Sequence, residues 1–186
     1  MTDTPGQPAV NGVREARAGD VAAVAAVQVR TWRAAYAGLL PATALDALDA
    51  LDPAEVAAAW GAALAARPAG RAHLLVAVAA DRVVGLAAGA PAPDDDLDPS
   101  RWAELGPLLV LPERQREGHG SRLLAAVTDL LLADGFRYAV TWVPAADERS
   151  LAFLVAAGWA PDGASRALDL AGTAVEEIRL HTDLAG

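Results

Sequence analysis

One stretch of the sequence, Glu104 to Ser121 (ELGPLLVLPERQREGHGS), limits the folds open to the chain more than any other. It begins as an apolar run that predicts a strand ending at Pro112. It then continues through Gly118 and Gly120 into a helix with apolar residues on one face. A glycine turn that opens a helix leaves backbone N–H groups unpaired, and together with the helix dipole these groups favour an anion. The stretch therefore predicts a strand, an anion-binding loop and a helix.

Composition and charge exclude several classes of function. The chain has 186 residues, which fits one domain, and it contains no cysteine and no lysine. Disulfides, thiolate metal sites, a cysteine nucleophile, a phosphate-loop lysine and a Schiff base are thereby excluded. The three histidines lack the spacing of a metal site, so we expect no metal. The net charge of −9 disfavours nucleic acid and anionic membranes, and it modestly favours a cationic substrate.

The N-terminus and the hydropathy pattern predict a protein of the cytoplasm. No apolar run reaches the length of about 20 residues that spans a bilayer. The first residues, MTDTPGQPAVNG, have no positive region followed by an apolar core, so we expect no signal peptide. We expect residues 1–11 to form a loose tail and residues 12–186 to form one domain.

Apolar periodicity along the chain predicts an α/β (α+β) fold with a mixed sheet of about six to seven strands and helices on both faces. Asp20 is expected to cap the first long helix, and Asp81-Arg82 is expected to form the turn of a hairpin. The expected strands are 13–16, 73–80, 83–90, 104–111, 136–142, 159–170 and 173–182. The expected helices are 20–36, 42–49, 53–67, 118–133 and 148–157.

A second block of residues follows the glycine loop at a distance that carries further information. It runs from Trp142 to Asp147 and closes with Gly158-Trp159. A third feature is the first helix with its following loop, WRAAYAGLLP, from Trp32 to Pro41. Together with the spacing Gln115-x-x-Gly118-x-Gly120, these blocks resemble the GCN5-related N-acetyltransferases, the GNAT superfamily. The resemblance covers about residues 13–184.

The resemblance implies an N-acetyltransferase domain that uses acetyl-CoA, or another acyl-CoA, as co-substrate. In the family, backbone groups of the central strand hold the pantetheine arm, and amides of the glycine loop hold the pyrophosphate. Physical chemistry agrees, because a diphosphate needs several preorganised N–H donors and Arg116 could add a charge-assisted bond. The simpler alternative is a tight turn into a helix. The implied CoA-binding residues are Leu108, Leu109, Val110, Gln115, Arg116, Glu117, Gly118, His119, Gly120, Ser121, Asp147 and Ser150.

Glu104 matches the spacing of the glutamate that serves as general base in histone-type members. A carboxylate could take the proton of an ammonium group directly or through water, which frees the nitrogen lone pair. The alternative for Glu104 is an exposed glutamate at a strand edge. The amide of Val110 is the candidate donor to the thioester oxygen, where negative charge develops.

Two positions depart from the family pattern. Leu154 stands where many members carry a tyrosine that protonates the departing thiolate, and leucine has no proton to give. Tyr36 and Tyr138 are the candidate substitutes, although Tyr138 also fits the core. Asp147 replaces the usual asparagine, and it also fits the N-cap of a helix whose first turn contains Ser150.

The acceptor is predicted to be an amine of a small molecule or peptide, which attacks the thioester without a covalent enzyme intermediate. Trp32, Tyr36 and the run Asp94–Asp96 could line its pocket. Aromatic residues at helical spacing also fit packing, and an acidic run also fits a solvated loop. The alternative function is a GNAT-fold protein that binds acyl-CoA as a sensor or scaffold without turnover, and Leu154 is the residue that favours it. The sequence leaves a homodimer open.

Overall fold

The structure, a computed structural model, describes residues 12–38, 40–66, 71–170 and 172–186. The predicted tail over residues 1–11 lies outside the described residues. Its separation from a domain over residues 12–186 therefore stays a prediction.

Seven strands and five α-helices are found in the described residues. The strands are β1 (Gly12–Glu15), β2 (His73–Ala79), β3 (Arg82–Pro91), β4 (Trp102–Val110), β5 (Tyr138–Pro144), β6 (Ala160–Leu170) and β7 (Thr173–Asp183). The α-helices are α1 (Val21–Tyr36), α2 (Ala42–Asp49), α3 (Pro53–Ala66), α4 (His119–Ala133) and α5 (Glu148–Ala156). Within this part of the chain, no helix combines the length and the apolar character that a membrane crossing needs.

The strands form one sheet in the order β1-β2-β3-β4-β5-β7-β6. β4 and β5 are parallel neighbours, and the other neighbouring pairs are antiparallel. The connection between the two parallel strands contains α4, because a parallel pair needs a long crossover rather than a tight turn. The predicted mixed sheet of six to seven strands is confirmed.

Different helices cover the two faces of the sheet. Gly89 faces α4, since a Cβ atom at this position would lie 3.0 Å from Val127 and 3.1 Å from Leu131. Side chains alternate along a strand, so Ala88 and Ala90 face the opposite side. They line a groove there together with residues of α3, which packs on α1. The helices therefore lie on both faces, as the periodicity predicts.

The main core lies between α4 and the sheet. Leu123 and Leu131 of α4 and Leu105 of β4 are each at most 1% exposed. Each such leucine stabilises the fold by about 1.5–3 kcal/mol relative to an exposed one. This packing holds the N-terminus of α4 at a fixed place beside the end of β4.

Three local expectations are wrong in detail. Asp20 does not cap α1 with its side chain, because its carboxylate binds Arg14 and the amide of Arg17 instead. The hairpin turn is centred on Ala80 and Asp81, with φ values of 48° and 61°, since a two-residue turn with two positive φ angles matches the twist of the strands. β5 begins at Tyr138 rather than at Phe136.

Candidate functional site

The parallel strands β4 and β5 separate part-way along their length. They pair only where Trp102–Glu104 lies beside Tyr138–Val140. Beyond Glu104, β4 continues beside β3 as far as Val110, and β5 continues beside β7 as far as Pro144. A register shift between β3 and β4 also bends β4 in this region. Residues 105–110 and 141–144 thus border a wedge, called here the β4–β5 opening, with Glu104 at its closed end.

Strand alternation determines which backbone groups of β4 face this opening. Leu111 N–H donates to Val84 O at 2.9 Å, so residues 111 and 109 direct their N–H and C=O groups to β3. The N–H and C=O groups of Leu108 and Val110 therefore point towards the β4–β5 opening. Of the three residues of β4 predicted to hold pantetheine, Leu108 and Val110 present backbone groups there, and Leu109 does not.

The loop after β4 presents a run of unpaired backbone donors. Pro112–Arg114 forms a short 3-10 turn, and α4 begins at His119. Arg122 N–H donates to Gly118 O at 3.1 Å and is the first amide of the helix to bond. In the region the structure describes, the six amides from Arg116 to Ser121 donate to no backbone or side-chain acceptor. Six donors at a helix N-terminus suit a diphosphate.

The backbone of this loop adopts the left-handed conformation twice. Arg116 has a φ of 66°, which costs a non-glycine residue about 1 kcal/mol or more, and Gly118 has a φ of 79°. Gly118 is therefore needed for its conformation. Gly120 is different, because a Cβ atom there would lie 3.7 Å from Phe153 and 3.9 Å from Val110, at ordinary contact distance.

The side chains around the loop carry positive charge in a chain whose net charge is −9. Four arginines contribute to this charge, and Arg116 has no ion-pair or hydrogen-bond partner among the described residues. The carboxylate of Glu117 is neutralised by Arg114 at 2.9 Å. His119 is 5% exposed, and its ring lies 3.3 Å from Glu117 Oε2 and 3.0 Å from Arg122 Nη2. The other arginines beside the loop are Arg122 and Arg149.

Gln115 connects the loop to the neighbouring elements through its side-chain amide. Its Nε2 donates to Val110 O at 3.2 Å, and its Oε1 accepts from Arg149 Nη1 at 2.6 Å. The first bond joins the loop to the end of β4, and the second joins it to α5. Gln115 therefore fixes the position of the loop amides relative to the β4–β5 opening.

Glu104 lies inside the sheet with neighbours on both sides, Ala90 of β3 and Val140 of β5, so the strand-edge alternative is wrong. Its side chain is partly buried, and this burial is the main cause that raises the pKa of the carboxyl group above its ordinary value. The negative charges of Asp94 and Glu177 raise the pKa further, and the positive charge of Arg166 lowers it. Glu104 is therefore a stronger base than a solvated glutamate.

A group of charged side chains that sequence reasoning missed lies near Glu104. Arg179 is 6% exposed and binds three carboxylates: Asp96 Oδ2 at 2.6 Å, Asp162 Oδ2 at 2.7 Å and Asp94 Oδ1 at 3.4 Å. We call these four residues the Arg179 cluster. Asp94 also accepts from Trp142 Nε1 at 3.1 Å. The aspartate run is thus partly a structural link between the loop after β3 and the strands β5 and β7.

A second ion pair, in which the carboxylate is buried and the arginine is exposed, lies next to this cluster. Glu177 is 5% exposed and accepts from Arg166 Nε at 2.7 Å, and the guanidinium of Arg166 lies 4.3 Å from the centre of the Trp142 ring. The alternation of Glu177 and Arg179 with Ile178 and Leu180 was the available sequence signal, since it marks one polar face of β7. Within the described residues, no group of three or more acidic or histidine side chains is placed to hold a metal ion.

The aromatic residues predicted for the acceptor pocket lie in different surroundings. Trp32 and Tyr36 both pack against a small apolar cluster that contains Leu40 and Leu48, which supports the packing alternative for Trp32. Burial raises the pKa of the Tyr36 hydroxyl, and the charges of Glu177 and Asp147 raise it further. Tyr36 therefore lies within electrostatic reach of the carboxyl end of β5, where the β4–β5 opening is widest.

Tyr138, the other candidate acid, lies at the closed end of the β4–β5 opening. Its ring stacks on Trp102 with 4.6 Å between ring centres, at the first pair of the parallel ladder. Leu154, at the position of the family tyrosine, is 4% exposed and belongs to the core. Of the two candidate hydroxyls, that of Tyr138 thus lies at the same end of the opening as Glu104, and that of Tyr36 is coupled electrostatically to residues at the other end.

Asp147 caps α5, as the helix-cap interpretation predicts. Its carboxylate accepts from the amide of Ser150 at 3.1 Å and from the Ser150 hydroxyl at 2.6 Å. The Ser150 hydroxyl is thereby occupied. Any contact of these two residues with CoA stays a prediction.

The sequence matches the model of the acetyltransferase (GNAT) family over residues 32–159, which is more than half of the chain. The chain belongs to the GNAT acetyltransferase family. The matched region contains the β4–β5 opening, the glycine loop and Glu104, so the site just described lies within the family domain. No curated protein matches the chain in sequence.

Solved GNAT structures share this fold at low sequence identity. An N-acetyltransferase from Staphylococcus aureus Mu50 is 17% identical with a TM-score of 0.71, covering 94% of this chain and 99% of its own. The PaiA N-acetyltransferase from Thermoplasma acidophilum, in complex with coenzyme A, is 14% identical with a TM-score of 0.67 and the same coverage. The Salmonella typhimurium protein YncA, with its cofactor acetyl-CoA, is 17% identical with a TM-score of 0.70 and covers 94% of each chain.

Proposed function

We propose that the protein transfers an acetyl group from acetyl-CoA to a primary amine by direct attack of the amine on the thioester. The observation that carries this proposal is the joint placement of three features. Backbone groups of Leu108 and Val110 face the β4–β5 opening, six unpaired amides follow in the loop, and Glu104 lies at the closed end. The sensor or scaffold alternative is not supported, since the matched family and the solved neighbours are acetyltransferases.

The residues present fit the donor. The amides from Arg116 to Ser121 would hold the pyrophosphate, and the free guanidinium of Arg116 would add charge. Leu108 and Val110 would bond the pantetheine arm as a neighbouring strand would. Among the described residues near these donors, no carboxylate is left without a counter-charge, because Arg114 neutralises Glu117.

Glu104 would accept the proton of the attacking amine. A protonated amine has no lone pair, so the proton must leave the nitrogen before or during the attack. The nitrogen then bonds to the carbonyl carbon and loses its second proton to water, and the C–S bond breaks with its electron pair on sulfur, so the thiolate leaves. The Leu108 amide, which faces the opening and lies nearer to Glu104 along β4 than the Val110 amide proposed from the sequence, would stabilise the negative charge on the carbonyl oxygen. The chain has no cysteine, and the Ser150 hydroxyl is bound to Asp147. These residues therefore favour direct attack over a covalent enzyme intermediate.

Tyr36 is proposed to protonate the thiolate in place of Leu154. The hydroxyl of a tyrosine is protonated at neutral pH, and the raised pKa of Tyr36 extends that state to higher pH, so a proton is available. A cytoplasmic location and a homodimer stay predictions.

Amine-dependent release of CoA thiol tests the proposal, and a chain without cysteine gives the thiol reagent no background. Glu104→Gln should lower kcat by about 10²–10⁴-fold without changing the Kd for acetyl-CoA. Glu176→Gln is the matched control, because Glu176 is an exposed carboxylate on β7. Equal activity of the two variants would remove Glu104 from the mechanism, and absence of release with every amine would contradict the proposed function.

A further inference from the structure

A groove of about 360 Å³ runs between α3 and the sheet and has Glu104 in its lining. Its volume is within the lower range of small-ligand pockets, which is about 300–1,000 Å³. Trp60, Ala63 and Leu64 of α3 form one wall, and Ala88 and Gly106 belong to the other. The groove exists because small side chains face each other here, and alanine or glycine leaves the space that a larger residue would fill.

The wall formed by Trp60 is held in place. Its indole Nε1 donates to Gln28 Oε1 at 2.5 Å, and Gln28 of α1 is itself 8% exposed. This bond joins α3 to α1 and uses the polar atom of the indole. The ring therefore offers an apolar surface at a fixed position, which lowers the entropic cost of binding a ligand against it.

Glu104 is the carboxylate in the lining of this groove. His73, the other titratable residue of the lining, has its ring nitrogens 3.1 Å from Glu15 Oε1 and 2.6 Å from Asp134 Oδ2. The groove continues past Glu104 to Gly106 and Pro107, directly before the β4 residues assigned to the donor. An ammonium group at Glu104 would thus lie beside the thioester, with the rest of its molecule along the apolar walls.

We propose that the acceptor is a small primary amine with an apolar group, aromatic or branched aliphatic, that occupies this groove. The amine end pairs with Glu104, and the apolar group packs between Trp60, Leu64 and Ala88. This inference rests on the proposed function and adds the substrate class to it. It also explains why the groove is apolar in a chain with net charge −9, since one carboxylate recognises the amine and the walls recognise the rest.

The test compares 2-phenylethylamine with ethylamine, two primary amines that differ by one phenyl ring. The wild-type protein should acetylate 2-phenylethylamine with a kcat/KM at least about tenfold higher, because burying a phenyl ring in the groove stabilises the complex. Ala63→Trp should bring that ratio close to one while the Kd for acetyl-CoA stays the same. Ala63 lines the groove but is exposed to solvent and is not part of the core, so the substitution leaves the core intact.

Ala62→Trp is the matched control, because Ala62 is exposed on the same helix and is not part of the groove lining. It should keep the wild-type ratio of the two amines. A wild-type ratio near one, or equal behaviour of the two tryptophan variants, would overturn the assignment of the groove. If acetyl-CoA binds but neither amine is acetylated, calorimetry should still show that 2-phenylethylamine alone binds the wild-type protein and does not bind Ala63→Trp. Absence of 2-phenylethylamine binding to the wild-type protein would also overturn the assignment. Failure of acetyl-CoA binding would instead count against the proposed function.

Discussion

Replacing Arg179 by methionine should destabilise the protein by about 3–5 kcal/mol, the usual cost of leaving a buried charge without its partner. The Arg179 side chain is 7% exposed, and the side chains of Asp94 and Asp162 are 10% and 22% exposed. Methionine keeps most of the apolar stem of arginine but removes the positive charge. Asp94 and Asp162 then remain in a poorly solvated place without a counter-charge. Asp96, at 62% exposed, regains water and contributes little to the loss.

The assay is urea unfolding at pH 7, followed by tryptophan fluorescence, with Arg137→Met as the matched control. Arg137 forms an equally short pair with Asp183, at 2.7 Å, but the two side chains are 49% and 37% exposed. An exposed pair of this kind contributes little to the free energy of unfolding, because water solvates both charges. Both variants lose a guanidinium group, and the two ion pairs differ in burial. The difference between their losses in free energy of unfolding therefore measures the effect of burying the ion pair.

A loss in Arg179→Met no larger than that in Arg137→Met would refute this reasoning. It would mean that water enters the Arg179 cluster in solution or that the cluster rearranges at low cost. Added salt gives a second check. It should reduce the difference in free energy of unfolding between wild type and Arg137→Met, and it should leave the difference between wild type and Arg179→Met almost unchanged.

Three further predictions concern the proposed catalytic groups. The base must be deprotonated and the pKa of Glu104 is raised, so a pH–rate profile should show kcat/KM falling with decreasing pH already above the ordinary pKa of glutamate. Asp94→Asn should move that fall to lower pH, because it removes a negative charge that raises the pKa of Glu104. Glu104→Gln should be more stable than wild type at pH 8 by urea unfolding, because the wild-type carboxyl group loses its contribution to stability as pH rises through its raised folded-state pKa; the difference should shrink at pH values below the ordinary glutamate pKa. Tyr36→Phe should lower kcat by about 10²-fold with an unchanged Kd for acetyl-CoA, whereas Tyr138→Phe should leave kcat near wild type; equal effects in a steady-state assay would exclude Tyr36 as the acid.

The sequence predicts the elements around the loop well because local patterns determine them. The apolar run of β4, the two glycines and the apolar face of α4 are each readable within a few residues, and the strand, loop and helix appear where predicted. The position of Gly118 also follows from local chemistry, since its left-handed conformation needs glycine.

Features that depend on long-range register could not be predicted in the same way. The Arg179 cluster joins residues separated by up to 85 positions, and the order of the strands decides which carboxylates meet the guanidinium. Likewise, the register shift between β3 and β4 decides that Leu108 and Val110, and not Leu109, face the β4–β5 opening. A shift by one residue would exchange these roles, and no local signal in the sequence reports it.

Glu104 illustrates both situations. Its spacing from the glycine loop marked it as a candidate base, but its position between β3 and β5, its burial and its charged neighbours come from the tertiary structure. Burial and the charges of Asp94, on the loop after β3, and Glu177, on β7, raise its pKa, and the charge of Arg166, on β6, lowers it. The sequence therefore locates the group, and the fold determines its basicity.

Calorimetric titration of acetyl-CoA into the wild-type protein, Gly120→Ala and Gly120→Glu is the most direct test of the central claim. Alanine fits at this position without a close contact, whereas glutamate adds a larger and negatively charged side chain to the turn that carries the six unpaired amides. We expect a micromolar Kd for wild type and for Gly120→Ala, no measurable binding for Gly120→Glu, and amine-dependent CoA release from the two proteins that bind. Equal binding by all three proteins, or no binding by the wild type, would contradict the assignment of the loop as the site for the CoA pyrophosphate.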